Sequence, residues 1–147
     1  MRVAIGCDHG GIVLKPAVKE YFEKKGVEVV DFGSYDAERV DYPIYAKKVA
    51  DAVASGDCEK GVLLCGTGIG MSIAANKVKG IRAAVLSDEL SAAACSAHNN
   101  ANILCLGGRV VSPEKAVVLL DLWFTTPYEG DRHEKRLALI ADIDERK

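Results

Sequence analysis

The sequence lacks several features that would assign it to a class at once. It has no apolar run long enough to cross a membrane, and its five cysteines include no C-x-x-C pair. It also lacks an excess of either charge, since 19 lysines and arginines stand against 21 acidic residues. These absences exclude a membrane span and argue against a disulfide framework, a zinc ribbon and a nucleic-acid partner. The segment after Met1 is typical of a strand and not of a secretion signal, so we expect a cytoplasmic protein.

Strand and helix patterns alternate along the whole chain. Short apolar segments predict five strands, and each is followed by residues with helical periodicity. The predicted strands are 2–7, 27–32, 61–65, 81–86 and 102–106. Regular alternation with short loops predicts a three-layer α/β/α Rossmann-like sandwich around a five-stranded parallel sheet. No linker or repeat interrupts the pattern, so residues 1–147 are predicted to form one domain.

Capping residues set the predicted ends of several helices. Ser87 or Asp88 caps an alanine-rich helix that runs to about residue 98, and Ser112 caps the next one. The last helix is predicted at about 131–145, with Asp131 and Glu134 spaced as a capping box. Its residue His133 is expected to lie on the solvent side.

Residue types that carry chemistry cluster around the predicted strand ends. Ligands of parallel α/β sheets bind beyond the carboxyl ends of the strands, so we expect these segments to meet at one edge. The segments are 7–11 (CDHGG), 65–70 (CGTGIG), 87–89 (SDE), 98–100 (HNN) and 107–109 (GGR).

The loop after the third strand has the sharpest local pattern. Gly66, Gly68 and Gly70 alternate with other residues and open a helix, so successive N–H groups can form an anion cradle. A tight turn that only serves packing explains the glycines equally well. Met71 stands where the dinucleotide fingerprint needs glycine, which excludes that motif. Cys65 lies beside the helix start, where a thiol can act as base or nucleophile, although a cysteine ending a buried strand can also be structural.

The remaining candidates have a functional and a structural interpretation each. Asp8 can act as an acid or form an Asx-turn. His98 suits general acid–base catalysis, and it equally suits the C-terminal end of a helix. Arg132 and Arg136 are four residues apart on one helix face, which fits a phosphate clamp that Arg109 could join or an ordinary solvated pair.

Taken together, the motifs resemble the ribose-5-phosphate isomerase type B family, which also contains allose-6-phosphate and galactose-6-phosphate isomerases. The resemblance covers nearly the whole chain in the right order. It runs through residues 6–10, 39–43, 65–77, 80–83, 98–99, 108–111 and 128–136. The most specific segment is 65–77, with the sequence CGTGIGMSIAANK.

The resemblance implies an aldose–ketose isomerase that interconverts ribose 5-phosphate and ribulose 5-phosphate through a cis-enediolate. It implies no metal and no organic cofactor. In this analogy Cys65 is the base that moves a proton between C2 and C1, and His98 opens the sugar ring with help from Thr67 and Asp8. The N–H groups of the 66–70 loop would stabilise the enediolate oxygens.

The resemblance also implies the remaining contacts. Asn99 would hold a substrate hydroxyl. The phosphate would be bound by His9, Arg109, Arg132 and Arg136. Family members form homodimers, some of which pair into tetramers, with His98 and Arg109 reaching in from the partner. Two alternatives remain open: an isomerase of allose 6-phosphate or another hexose phosphate, and a sugar-phosphate-binding module without catalysis.

Overall fold

A computed structural model describes residues 1–145, and the last two residues of the predicted 1–147 domain lie outside them. The strands are β1 (Arg2–Cys7), β2 (Glu28–Asp31), β3 (Lys60–Cys65), β4 (Ala83–Val85) and β5 (Ile103–Gly107). The helices are α1 (Lys15–Lys24), α2 (Tyr42–Ala54), α3 (Ile69–Ala75), α4 (Glu89–Ala97), α5 (Pro113–Thr125) and α6 (Arg132–Asp144). None of these helices is long and apolar enough to cross a membrane.

The five strands form one parallel sheet in the order β2-β1-β3-β5-β4. Successive side chains of a strand point to opposite faces, and here both faces are covered by helices. One face packs on α1, α4 and α5 through a core that includes Phe22 and Trp123. The other packs on α2 and α3 through a core that includes Val49 and Met71. The predicted three-layer α/β/α sandwich is confirmed.

Two of the predicted helix caps, at α4 and α5, are present in the structure. Asp88 accepts a hydrogen bond from Ser91 N–H at 2.7 Å, and Ser112 accepts one from Lys115 N–H at 3.1 Å. The capping box predicted for α6 is wrong, because Asp131 has a φ of 54° and its side chain makes no capping hydrogen bond. The first turn of α6 is closed by backbone bonds instead.

The edge strand β4 is shorter than predicted. It spans Ala83–Val85 where the apolar pattern predicts 81–86. The backbone at its beginning is bonded by side chains: Asn102 Oδ1 accepts from Arg82 N–H at 2.8 Å, and the Asn76 side chain bonds both N–H and C=O of Ala83. The Asn76 amide satisfies Ala83 at the free edge of the sheet, where no further strand can do so, whereas Asn102 bonds Arg82 on the side that faces β5.

Candidate active site

Three loops meet at the carboxyl edge of the sheet, after β1, β3 and β5. Asp8 N–H donates to Leu64 O at 3.1 Å. Gly108 N–H donates to Cys65 O at 2.8 Å, and Arg109 N–H donates to Gly66 O at 3.0 Å. Because backbone bonds join the loops directly, the side chains they carry are held in fixed relative positions.

Cys65 ends β3 at the centre of this edge and is 5% exposed. Gly68 N–H donates to its Sγ at 3.1 Å, which places a fixed positive partial charge next to the sulfur. Gly68 can do this because its φ is +81°, a conformation that favours glycine. A Cβ at this position would also lie 3.1 Å from the carbonyl carbon of Leu106. The loop therefore needs glycine here for both conformation and space.

A cleft of about 430 Å³ opens in front of Cys65. Its lining residues come from the loops after β1, β3 and β5 and from the beginnings of α2 and α3. They are Asp8, Tyr42, Cys65, Gly66, Thr67, Ile69, Gly70, Ile73 and Arg109. Thr67 is exposed there, and its Oγ1 accepts from Ile69 N–H at 3.2 Å, which closes the first turn after the glycines. Tyr42 was missed in the sequence, where Asp41 and Pro43 mark a helix start but give no sign that the tyrosine faces a site.

Asp8 and His9 hold the backbone around the cleft. Asp8 Oδ1 accepts from Gly10 N–H at 2.8 Å and from Gly11 N–H at 3.1 Å, which is the Asx-turn that the sequence left open. His9 Nδ1 accepts from Val40 N–H at 3.2 Å. A neutral imidazole that accepts at Nδ1 carries its proton at Nε2. His9 therefore pins the loop between β2 and α2 and keeps Nε2 as a donor.

A buried ion pair supports this loop from behind, and no sequence pattern predicts it. Lys15 Nζ lies 2.8 Å from Asp31 Oδ1 and 2.5 Å from Ser34 O. Burial alone would raise the pKa of Asp31, but hydrogen bonds from Lys15 and from Gly33 N–H outweigh it and hold that pKa below its ordinary value. The pair is 9% and 16% exposed, so the lysine depends on its partners for solvation.

Arg109 lies in the cleft of its own chain. A Cβ built on Gly66 would be 3.1 Å from Arg109 Nη1, so the guanidinium covers the glycine backbone. The expectation that Arg109 reaches in from a partner is wrong. Arg109 N–H donates a hydrogen bond to Gly66 O, so the residue is held beside the glycine loop of its own chain.

His98 and Asn99 lie at the opposite, amino edge of the sheet. Helix α4 runs back from the end of β4 and ends at Ala97, just before β5 begins. Nearby, Asn102 N–H donates to Arg82 O, and Gly61 N–H donates to Asn102 O, both at strand beginnings. The expectation that all reactive segments share one edge is therefore wrong for 98–100. The signal was available, because a loop that enters a strand lies at its amino end.

The beginning of α6 is at the same amino edge. Glu129 N–H donates to Ala97 O at 3.0 Å, which places the preceding loop beside the end of α4. Arg132 and Arg136 are exposed on α6, and Arg132 Nη2 lies 3.5 Å from Glu129 Oε1. The two arginines therefore accompany His98 and not Cys65.

His133 is buried under His98, and the expectation that it faces solvent is wrong. It is 5% exposed, and its ring stacks on His98 with centroids 4.5 Å apart. Glu129 lies beside both rings, 3.5 Å from His133 Nε2 and 4.0 Å from His98 Nε2. The sequence contains no periodic signal for this contact, because α6 has no other buried residue.

Comparison with known proteins matches residues 3–140 to the family described as Ribose/Galactose Isomerase. The chain is 47% identical over 146 residues to ribose-5-phosphate isomerase B of Escherichia coli (strain K12), covering 99% of this chain and 98% of that protein. A structure of Clostridium thermocellum ribose-5-phosphate isomerase B superposes with a TM-score of 0.97 at 47% identity and covers 99% of both chains. The Mycoplasma genitalium ribose-5-phosphate isomerase B with bound ribulose-5-phosphate superposes with a TM-score of 0.94 at 38% identity, covering 99% of this chain and 97% of that one.

Proposed function

Because the chain belongs to the ribose/galactose isomerase family, we propose that it interconverts ribose 5-phosphate and ribulose 5-phosphate. Full-length similarity to relatives named ribose-5-phosphate isomerase B supports this choice of sugar. So does a close structural relative that is described with ribulose-5-phosphate bound. Five free, buried cysteines fit a reducing compartment such as the cytoplasm.

Cys65 is the base in this proposal. The observation that carries it is the placement of Sγ at a strand end, 3.1 Å from a backbone N–H and facing a cleft. The thiolate removes the proton from C2 of the open-chain sugar phosphate, which leaves a cis-enediolate with negative charge on its oxygens. The same thiol then returns the proton to C1, and the hydroxyl proton of O2 passes to O1. C2 thereby becomes the carbonyl carbon, and no redox partner is needed.

The glycine cradle and the cleft residues stabilise that intermediate. The N–H groups of the 66–70 loop are fixed in place before the reaction. Gly68 N–H is bonded to Cys65 Sγ, and each of the other loop N–H groups that faces the sugar contributes about 3 kcal/mol to a developing oxyanion. Thr67 and Asp8 line the same cleft, and in this proposal they contact sugar hydroxyls. Arg109 supplies positive charge at the cleft wall.

The predicted site is divided between the two edges of the sheet, which supports a homodimer. Cys65 and Arg109 lie at the carboxyl edge, whereas His98, Arg132 and Arg136 lie at the amino edge. The six residues of β3 separate these edges by about 17 Å. Ring opening by His98 therefore requires that a second copy brings its amino edge to this cleft.

Helix α6 supplies a surface for that contact. Leu139, Ile140 and Ile143 are exposed at 59%, 43% and 60% on one helix. Ile140 also borders a hollow of about 310 Å³ that includes Asn99 and Arg82. In the dimer this apolar surface would be covered, Asn99 would reach a substrate hydroxyl, and the partner's arginines would join His9 and Arg109 on the phosphate.

The test is an isomerase assay on the purified protein with a chelator present. Ribose 5-phosphate is supplied and the ketose is followed, with Cys65→Ala beside the wild type. We expect turnover that the substitution abolishes. If only allose 6-phosphate is turned over, the sugar assignment is wrong. If neither sugar reacts but ribose 5-phosphate binds, the chain is a binding module and the catalytic proposal fails.

A further inference from the structure

His98, Glu129 and His133 form a cluster whose composition matches a metal site. Each offers one ligand atom, and these atoms all lie within 4.8 Å of one another. Two imidazoles and one carboxylate, with further positions open, are a ligand set that zinc uses in proteins. Imidazole nitrogen also suits copper and nickel, whereas magnesium and calcium prefer oxygen ligands.

A second observation also points to a ligand at this cluster. His133 is 5% exposed, and its Nε2 is buried without a hydrogen-bond partner. Glu129 Oε1 lies 3.5 Å away, but the pair makes no hydrogen bond. A buried polar nitrogen without a partner is unfavourable, and a bound cation would satisfy it.

We propose that His98, Glu129 and His133 bind a divalent transition metal, with zinc the best fit, and that this ion inhibits the enzyme. Ligands of a tetrahedral zinc lie about 3.4 Å apart, given bonds of about 2.0–2.1 Å. Glu129 Oε1 and His133 Nε2 already have that separation at 3.5 Å, and His98 Nε2 lies 4.0 Å from Glu129 Oε2.

Binding requires a small rearrangement on the exposed side of the cluster. The two rings are stacked at 17°, so their Nε2 lone pairs lie side by side and do not converge on one point. His98 and Glu129 are 45% and 48% exposed, so the first can tilt and the second can turn while His133 stays fixed. Arg132 pairs with the same carboxylate at 3.5 Å, but it is 60% exposed and can move into water.

Inhibition follows from the position of His98, and this step rests on the proposed function. A metal bound to Nε2 occupies the nitrogen that would exchange a proton with the sugar ring. The ion therefore blocks ring opening. It is not a cofactor of the reaction, and a chelator should restore the rate.

The test separates metal binding from catalysis. Cobalt(II) is titrated into the chelator-treated Cys65→Ala chain, so that the catalytic thiol cannot act as a ligand, and its visible absorption is followed. We expect one cobalt per chain, and at least tenfold weaker binding in Glu129→Gln and in His133→Asn. Glu114→Gln, an exposed carboxylate on α5, serves as the matched control and should bind like its parent.

In a parallel assay, zinc should inhibit the wild type, and Glu129→Gln should need at least tenfold more zinc. No cobalt binding up to millimolar concentration, or unchanged binding in Glu129→Gln, would overturn the proposal. If His133→Asn does not fold, Glu129→Gln decides, because its side chain is half exposed. If the protein shows no isomerase activity, the cobalt titration still decides the site.

Discussion

Two inactive variants should restore activity when their chains are mixed. Cys65→Ala removes the proposed base and His98→Asn removes the proposed ring-opening group, so each variant alone should lose turnover by at least about a hundredfold. The two residues lie at opposite edges of the sheet, separated by the six residues of β3. A site that pairs Cys65 with the His98 of a partner can therefore be rebuilt from two different defective chains.

The expected magnitude follows from dimer symmetry. In a mixed dimer, one site has both an intact Cys65 and an intact His98, and the other site has neither. Random exchange at equal concentrations makes about half of the dimers mixed, so the mixture should reach about one quarter of wild-type activity. Mixed dimers purified through two different affinity tags should reach about half.

The assay is ketose formation from ribose 5-phosphate after subunit exchange, with chelator present. The matched control mixes Cys65→Ala with the double variant Cys65→Ala/His98→Asn, a pair of chains from which no complete site can form. This control should stay inactive. If the first mixture shows only the summed activity of its two parent variants, the site is not shared between subunits. The inference that Cys65 and His98 of different chains form one site is then refuted.

Three further outcomes are expected. Gly68→Ala should lower the free energy of unfolding in urea by about 1–2 kcal/mol and also reduce turnover. The control Gly26→Ala, at a φ of +70° with no neighbour within 4 Å, should leave turnover intact. Equal loss of turnover in both variants would contradict the role of the glycine cradle in catalysis. Asp31→Asn should lower the free energy of unfolding by about 3 kcal/mol at pH 7. Because the pKa of the Asp31 carboxyl is lower in the folded than in the unfolded chain, the wild type should lose this extra stability as the pH falls through the folded pKa. A difference in urea midpoints that does not change with pH would contradict this prediction. Iodoacetamide at pH 7.5 should modify Cys65 before Cys95, because burial raises the pKa of the Cys95 thiol to about 11. Ribose 5-phosphate should protect only Cys65. Equal modification rates of the two cysteines, measured by peptide mass, would argue against a reactive Cys65.

Local patterns were sufficient for the layers of the fold. Strand and helix periodicity depend on neighbouring residues, so the alternation along the chain predicted the parallel sheet and the helices on both faces. Side-chain caps at Asp88 and Ser112 were predictable for the same reason, since each bond spans three residues. The glycine loop after Cys65 was also visible, because its spacing is a property of six consecutive residues.

Long-range packing decided what these patterns could not. The segment 98–100 was predicted to share the sheet edge that carries Cys65, but the direction of α4 places His98 at the other edge. His133 was expected in solvent, because one histidine on a polar helix has no periodic signal, yet the loop bond from Glu129 N–H to Ala97 O brings it under His98. The amino-acid sequence by itself determined the elements and the chemistry of each loop. Only the tertiary structure decided which side chains meet, because that depends on contacts between residues tens of positions apart.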